Sequence, residues 1–118
     1  MKTDLAIEAF SALSQPTRLE AFRLLVKHEP DGLPAGEIAR RLAVPHNTMS
    51  THLAILARAG LISVTRHSRS MIYRVELAAV RKLVMFLLTD CCNGQPELCA
   101  PLIDEISMSC SPGGTCCS

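Results

Sequence analysis

Hydrophobic residues along this chain recur with a helical period, then with a strand period, then with a helical period again. In "TDLAIEAFSAL", Thr3 or Asp4 can cap a first helix that has Leu5, Phe10 and Leu13 among its apolar positions. In "SQPTRLEAFRLLV", Pro16 suits the first turn of a second helix, where its missing N–H costs nothing, and Leu19, Phe22 and Val26 follow at helical spacing. "EPDGLP" breaks that helix, and "AGEIARRLAV" predicts a short one with Ile38 and Leu42 inward. After the turn "VPHN", a further helix runs to about Arg58 with Met49, Leu53 and Leu56 on one face. Gly60 ends it, at the position where a left-handed residue is usual.

From Leu61 the period is two. Ile62, Val64 and Arg66 alternate with Ser63 and Thr65, and "MIYRV" alternates again after "HSRS", which predicts a two-stranded hairpin with a polar, basic tip. From Leu77 to Asp90 the period is helical once more. Ten of the twelve residues from Leu77 to Leu88 are apolar. A chain this small hardly surrounds such a helix, so a dimer seam is expected, with a central core helix as the alternative. The expected fold class is mainly α with a β-hairpin wing (α+β), a homodimeric winged helix-turn-helix. Residues 1–92 form the DNA-binding and dimerisation domain, and 93–118 a cysteine-rich C-terminal segment whose end, "SCSPGGTCCS", has the composition of a disordered tail.

Composition adds little until charge is mapped. The 118 residues suit one domain, and 48% hydrophobic against 3% aromatic content implies a core of aliphatic helices. The net charge of +1 conceals a division. Between Glu37 and Glu76 there is no Asp or Glu, while Arg40, Arg41, Arg58, Arg66, Arg69 and Arg74 and three of the four histidines fall there. After Lys82 come Asp90, Glu97, Asp104 and Glu105 with no Lys or Arg. A basic middle suits a polyanion. The N-terminus "MKTDLAIEAF" is already polar and helical, unlike a secretory signal. "LAAVRKLVMFLL" is about half a membrane span and holds Arg81 and Lys82, so a cytoplasmic location without membrane contact is expected. Thiols stay reduced there, and six cysteines point to metal or redox chemistry rather than disulfides.

With Met49, Leu53 and Leu56 docked inward, His46, Asn47, Thr48, Ser50, Thr51 and His52 remain at the N-terminal half of the helix after "VPHN". These are short hydrogen-bonding side chains without negative charge, suited to base edges and phosphates in a major groove. Arg66, His67 and Arg69 at the hairpin tip suit the DNA backbone or minor groove. Taken singly, each is also an ordinary solvated polar residue; the order of elements and the acid-free window carry the reading.

Three segments in the right order, "ALSQPTRLEAFRLL", "LAVPHNTMSTHLAILARAGLI" and "RHSRSMIYRV", resemble the second helix, recognition unit and wing of the ArsR/SmtB family of metalloregulatory repressors. The resemblance spans roughly residues 5 to 90; Pro45 stands where family members often have Ser. It implies a homodimer joined through its first and last helices, bound to operator double-stranded DNA at an imperfect inverted repeat until a soft metal or metalloid binds. The family's arsenic sensors with a CxC-type pair on the first helix of the recognition motif have no counterpart here, because "AGEIARRLAV" lacks cysteine. Its zinc sensors use His and carboxylates along the last helix, and "ELAAVRKLVMFLLTD" lacks histidine.

What remains is "CCNGQPELC". Cys91, Cys92 and Cys99 lie just beyond the seam helix, and Gly94 and Pro96 let the chain leave helical geometry and fold back. Three thiolates without a hard oxygen ligand select soft ions, which makes trivalent arsenic (As(III), arsenite) or antimonite (Sb(III)) the expected inducer. Zinc would need a fourth ligand, for which Cys110, Cys116 or Cys117 are available. Some arsenic-responsive family members carry vicinal cysteines near this helix end. The alternatives are a sensor of cadmium, lead, zinc or methylarsenite, or a thiol redox-sensing repressor. No cysteine sits with a general base, so no catalytic residue and no enzyme are expected.

Overall fold

The computed structural model describes residues 2–88, and the elements run helix, helix, short strand, helix, helix, hairpin, helix. Cys91, Cys92, Cys99, Cys110, Cys116 and Cys117 lie outside the described residues.

The first helix, α1 (Thr3–Leu13), begins differently from expectation. Its N-cap is Lys2, without a side-chain cap; Thr3 is already helical, and Asp4 in the first turn faces the positive end of the helix dipole. The inward row is Ala6, Ala9 and Ala12, so the larger Leu5, Ile7 and Phe10 are left outside. Alanine's small side chain lets α1 approach its neighbours closely. The second helix, α2 (Pro16–Lys27), starts as the sequence requires, with Pro16 in its first turn and Gln15 Oε1 accepting from the Arg18 backbone N–H at 2.8 Å. Ala21, Phe22 and Leu25 are its buried residues; Leu19 is exposed and Val26 half-buried.

Between α2 and the next helix the sequence suggested only a break. The chain instead forms β1 (Leu33–Pro34), which adds a third strand to the hairpin. The sheet order is β1-β3-β2, with β2 spanning Ile62–His67 and β3 spanning Ser70–Val75, all antiparallel. Leu33 pairs with Tyr73 and Pro34 with Ile72, and proline is tolerated on this edge because the strand is not central. Gly32 makes the approach possible. Its φ is +75°, and a Cβ built there would lie 2.4 Å from the Tyr73 carbonyl oxygen. In the hairpin, Ile62 faces Val75 at the buried base and His67 faces Ser70 at the tip.

The helix-turn-helix consists of α3 (Ala35–Leu42) and α4 (His46–Arg58). Ile38 and Ala39 are buried on α3, and Leu42 is half-buried. The turn is closed by Ala43, left-handed at φ 55°, with Val44 N–H bonded to Ala39 O at 3.0 Å. The far end of α4 uses the same device with the expected glycine. Gly60 (φ +81°) donates to Ala57 O at 3.0 Å and Leu61 to Leu56 O at 3.1 Å. The core is one cluster in which Leu25, Ile38, Met49, Leu53, Leu56 and Leu61 are the largest fully buried side chains.

The last helix, α5 (Leu77–Leu88), buries Leu83 alone, with Val80 and Phe86 packed partly against the core. It lies against α1 rather than at the molecular centre, so a central core helix is excluded.

These backbone positions give a paired expectation. Gly60→Ala costs about 1 kcal/mol through φ alone, since no atom beyond its chain neighbours lies within 4 Å of the added Cβ. Gly32→Ala costs several times more, because sterics join the φ penalty. Ala43→Gly moves the other way, stabilising by up to about 1 kcal/mol as the left-handed strain is relieved. Urea unfolding of the three variants checks the order.

A candidate nucleic-acid interface

The site is built by what α4 hides. Met49, Leu53 and Leu56 are fully buried, at successive spacings of four and three residues, and anchor one face of the helix on the core. His46, Asn47, Thr48 and Thr51 are exposed. Thr51 Oγ1 donates to Asn47 O at 3.2 Å, which leaves its lone pairs as acceptors toward the outside. Ser50 and His52, grouped with these residues in the sequence reading, lie on the flanks and are half-buried. Ser50 shares with His46 a cleft of about 270 Å³ whose other walls are Pro34, Ala35 and Gly36 of the β1–α3 junction and Ser70, Met71 and Tyr73 of the wing. His52 is on the other flank, with its Nδ1 3.5 Å from Nη1 of Arg18.

The N-terminus of α4 has Pro45 as N-cap, no side-chain cap and no acidic residue in its first turn. Its first N–H groups are therefore uncapped by side chains, at the positive end of the helix dipole, which favours an anion. Arg66, His67 and Arg69 are all exposed at the wing tip. Arg66 Nε donates to Ser68 O at 3.3 Å across the two-residue turn, where Ser68 is left-handed at φ 55°.

Charge is distributed less simply than the sequence count suggests. Glu37 pairs with both Arg40 and Arg41, the Arg41 contact being 2.8 Å, and Arg41 also approaches His28 Nε2 at 2.9 Å. Arg74 stands 4.0 Å from Glu29. Three of the six arginines in the acid-free window thus lie beside two acids that precede it, Glu37 and Glu29. The window's other three arginines, Arg58, Arg66 and Arg69, have no ion pair among the described residues and carry its unpaired positive charge. The i,i+3 and i,i+4 spacing of Glu37 to Arg40 and Arg41 was the available signal. Hydrogen bonds from Arg40 and then Arg41 hold the Glu37 carboxyl at about 2, from an ordinary 4.5.

Residues 13–65 match the family described as Helix-turn-helix domain. The uncharacterised HTH-type transcriptional regulator YbzH of Bacillus subtilis is 34% identical, over 71% of this chain and 96% of its own. An ArsR-like transcriptional regulator from Rhodococcus sp. RHA1 superposes with a TM-score of 0.68 at 28% identity, covering 82% of this chain and 89% of that one. The chain belongs to the ArsR/SmtB family of helix-turn-helix transcriptional regulators. The transcriptional repressor BigR from Xylella fastidiosa, with a TM-score of 0.55 and 28% identity, covers 70% of this chain and 82% of its own. These ArsR/SmtB relatives are regulators, and the chain is a regulator rather than an enzyme. Among the described residues no three His, Cys, Asp or Glu side chains converge as metal ligands, and no helix is long and apolar enough to cross a membrane.

The Glu37 cluster yields a pH expectation. Its folded value is depressed, so its stabilising contribution is fully present above about 4.5 and fades as pH falls toward about 2. Wild type and Glu37→Gln should therefore differ in melting temperature at neutral pH and converge over that acid window. Melts recorded across the window test this; a constant gap would refute it.

Proposed function

We propose that this regulator is a homodimeric repressor that binds an imperfect inverted repeat in double-stranded DNA and leaves it on binding trivalent arsenic. The observation that carries the DNA half is the anchoring of α4. Three fully buried residues fix its roll, so that His46, Asn47, Thr48 and Thr51 face outward beside the wing. Short donors and acceptors at that end match base edges in a major groove, and uncapped N–H groups match phosphate. Arg66 and Arg69 contribute charge that does not depend on base sequence.

The dimer half is supported by α1 and α5. They pack together and leave Leu5, Ile7, Phe10, Leu77, Val84 and Leu87 outside, with Ile7 60% and Leu87 55% exposed. A second copy covering this surface supplies the burial that one chain does not. Two recognition helices related by a two-fold axis then read two half-sites.

The inducer half rests on donor chemistry. Arsenite is a neutral acid, As(OH)₃, and three thiols displace its three hydroxyls as water to give a neutral As(SR)₃. Cys91, Cys92 and Cys99 supply three such thiols directly after α5 in the chain. Consecutive residues on a helix point about 100° apart, so ligation of one small atom by both Cys91 and Cys92 favours an arrangement different from a continued helix. An inducer that prefers one arrangement shifts the equilibrium away from the DNA-bound form only by that preference. The cysteines' place in the chain, soon after the end of α5, suits transmission to the spacing of the two α4 helices.

Arsenite should lower operator affinity by a coupling of roughly 1–3 kcal/mol with the dimer preserved. Ser at any one of Cys91, Cys92 or Cys99 should abolish that response and leave DNA binding intact, whereas Ser at Cys116 and Cys117 together should change little. Arg66→Ala or Arg69→Ala should weaken binding to all duplexes alike. Footprinting, DNA titration with and without arsenite, and size-exclusion chromatography read these outcomes. The absence of a protected inverted repeat would remove the DNA half. Loss at only two of the three cysteines would favour methylarsenite, and release by cadmium or peroxide but not arsenite would replace the inducer.

A further inference from the structure

Arg18, in the first turn of α2, meets two other helices at one point. Its Nε donates to Ala12 O at 2.7 Å and its Nη2 reaches Ser11 O at 3.5 Å, so the guanidinium satisfies carbonyls in the last turn of α1. Its Nη1 stands 3.5 Å from Nδ1 of His52 on α4, the outer reach of a hydrogen bond. Its own backbone N–H is held by Gln15 Oε1 at 2.8 Å, which anchors the residue at the helix start. A guanidinium has five donors and no acceptor, and it keeps its charge. Facing it, Nδ1 of His52 can only accept. A neutral imidazole that accepts at Nδ1 carries its proton on Nε2, at the other side of the ring.

His52 lies one helical turn after Thr48, on the flank between the buried row of α4 and its exposed face. We propose that Arg18 is a positioning residue for DNA readout: it holds His52 in the Nε2-protonated form, so that α4 presents a fixed hydrogen-bond donor there. Such a donor selects acceptors at base edges, which in the major groove are guanine O6 and N7, adenine N7 and thymine O4, and it rejects the amino groups of cytosine and adenine. The sequence hides this arrangement, because Arg18 and His52 are 34 residues apart and belong to different helices. The inference rests on α4 being the DNA-reading helix, and its test separates the two.

The first arm needs no DNA. Two-bond proton–nitrogen spectra of the reduced, ¹⁵N-labelled full chain should show His52 as the Nε2-protonated tautomer, and Arg18→Met should shift it toward a mixture. A wild-type ring protonated at Nδ1 overturns the proposal. The second arm uses a duplex that the wild type selects from a randomised pool and a shuffled duplex of equal length. Arg18→Met should lower the ratio of the two affinities about tenfold, the size of one base-edge contact, while binding to the shuffled duplex stays within about twofold. A parallel fall in both affinities, tracking a lower melting temperature, overturns it in favour of a merely structural tether. Should Arg18→Met fail to fold, His52 decides. His52→Gln keeps an acceptor toward Arg18 and a donor outward, so it should retain the ratio within about threefold, whereas His52→Ala loses about tenfold. Equal losses in both overturn the proposal. A wild type that selects no duplex overturns the DNA reading and the readout role together, leaving the tautomer as a separate fact.

Discussion

The docking of α4 through Met49, Leu53 and Leu56 is the constraint on which the rest of the structure depends. A helix has one degree of freedom that matters for reading a groove, its rotation about its own axis. Three fully buried side chains on one stripe remove it. Truncating any of them to alanine costs about 2–5 kcal/mol, a large share of what a domain of this size possesses. The roll that presents Asn47 and Thr51 to the outside is therefore enforced by the same free energy that folds the protein.

Elements around α4 follow from this requirement. The left-handed turn at Ala43 reverses the chain between α3 and α4, and the Gly60 turn sends it straight into Leu61 and Ile62, both buried. The wing is thus rooted in the core at the point where α4 ends. Its other edge is fixed by β1, whose approach depends on the missing side chain of Gly32. On α1, alanines occupy the inward row and the larger apolar residues stand outside. That inversion makes sense for a helix with two partners, one reached by close approach within the chain and one by a broad apolar surface.

Much of this was legible in the chain. The periods of four and three among Met49, Leu53 and Leu56, the alternation from Ile62 to Arg66, and Gly60 as a helix stop all report local geometry, and local geometry is what hydrophobic spacing encodes. What failed to show was set by tertiary contact. Two residues are too few for a strand period, so β1 exists only because β3 is beside it. The inward face of α1 was not legible, because small and large apolar residues share the helical period at different phases. Arg40, Arg41 and Arg74 stand in the acid-free window, but the fold sets them beside Glu37 and Glu29, which precede it in the chain.

The arginines held beside Glu37 and Glu29 alter how the proposed interface has to work. Over the whole chain the net charge of +1 gives little long-range attraction for a polyanion, and half of the window's arginines are engaged locally by Glu37 and Glu29. Within the acid-free window, unpaired charge is left at Arg58, Arg66 and Arg69, at the C-terminal end of α4 and at the wing tip, with the uncapped start of α4 as a third positive region. If α4 and the wing read DNA as proposed, so few unpaired arginines leave a weak sequence-independent term. On that proposal, discrimination rests on the short polar side chains of α4, whose geometry is worth little unless the helix is rigidly placed. That returns the demand to the buried stripe: on the proposed reading, with modest electrostatic attraction, precise docking of α4 would separate one DNA sequence from another.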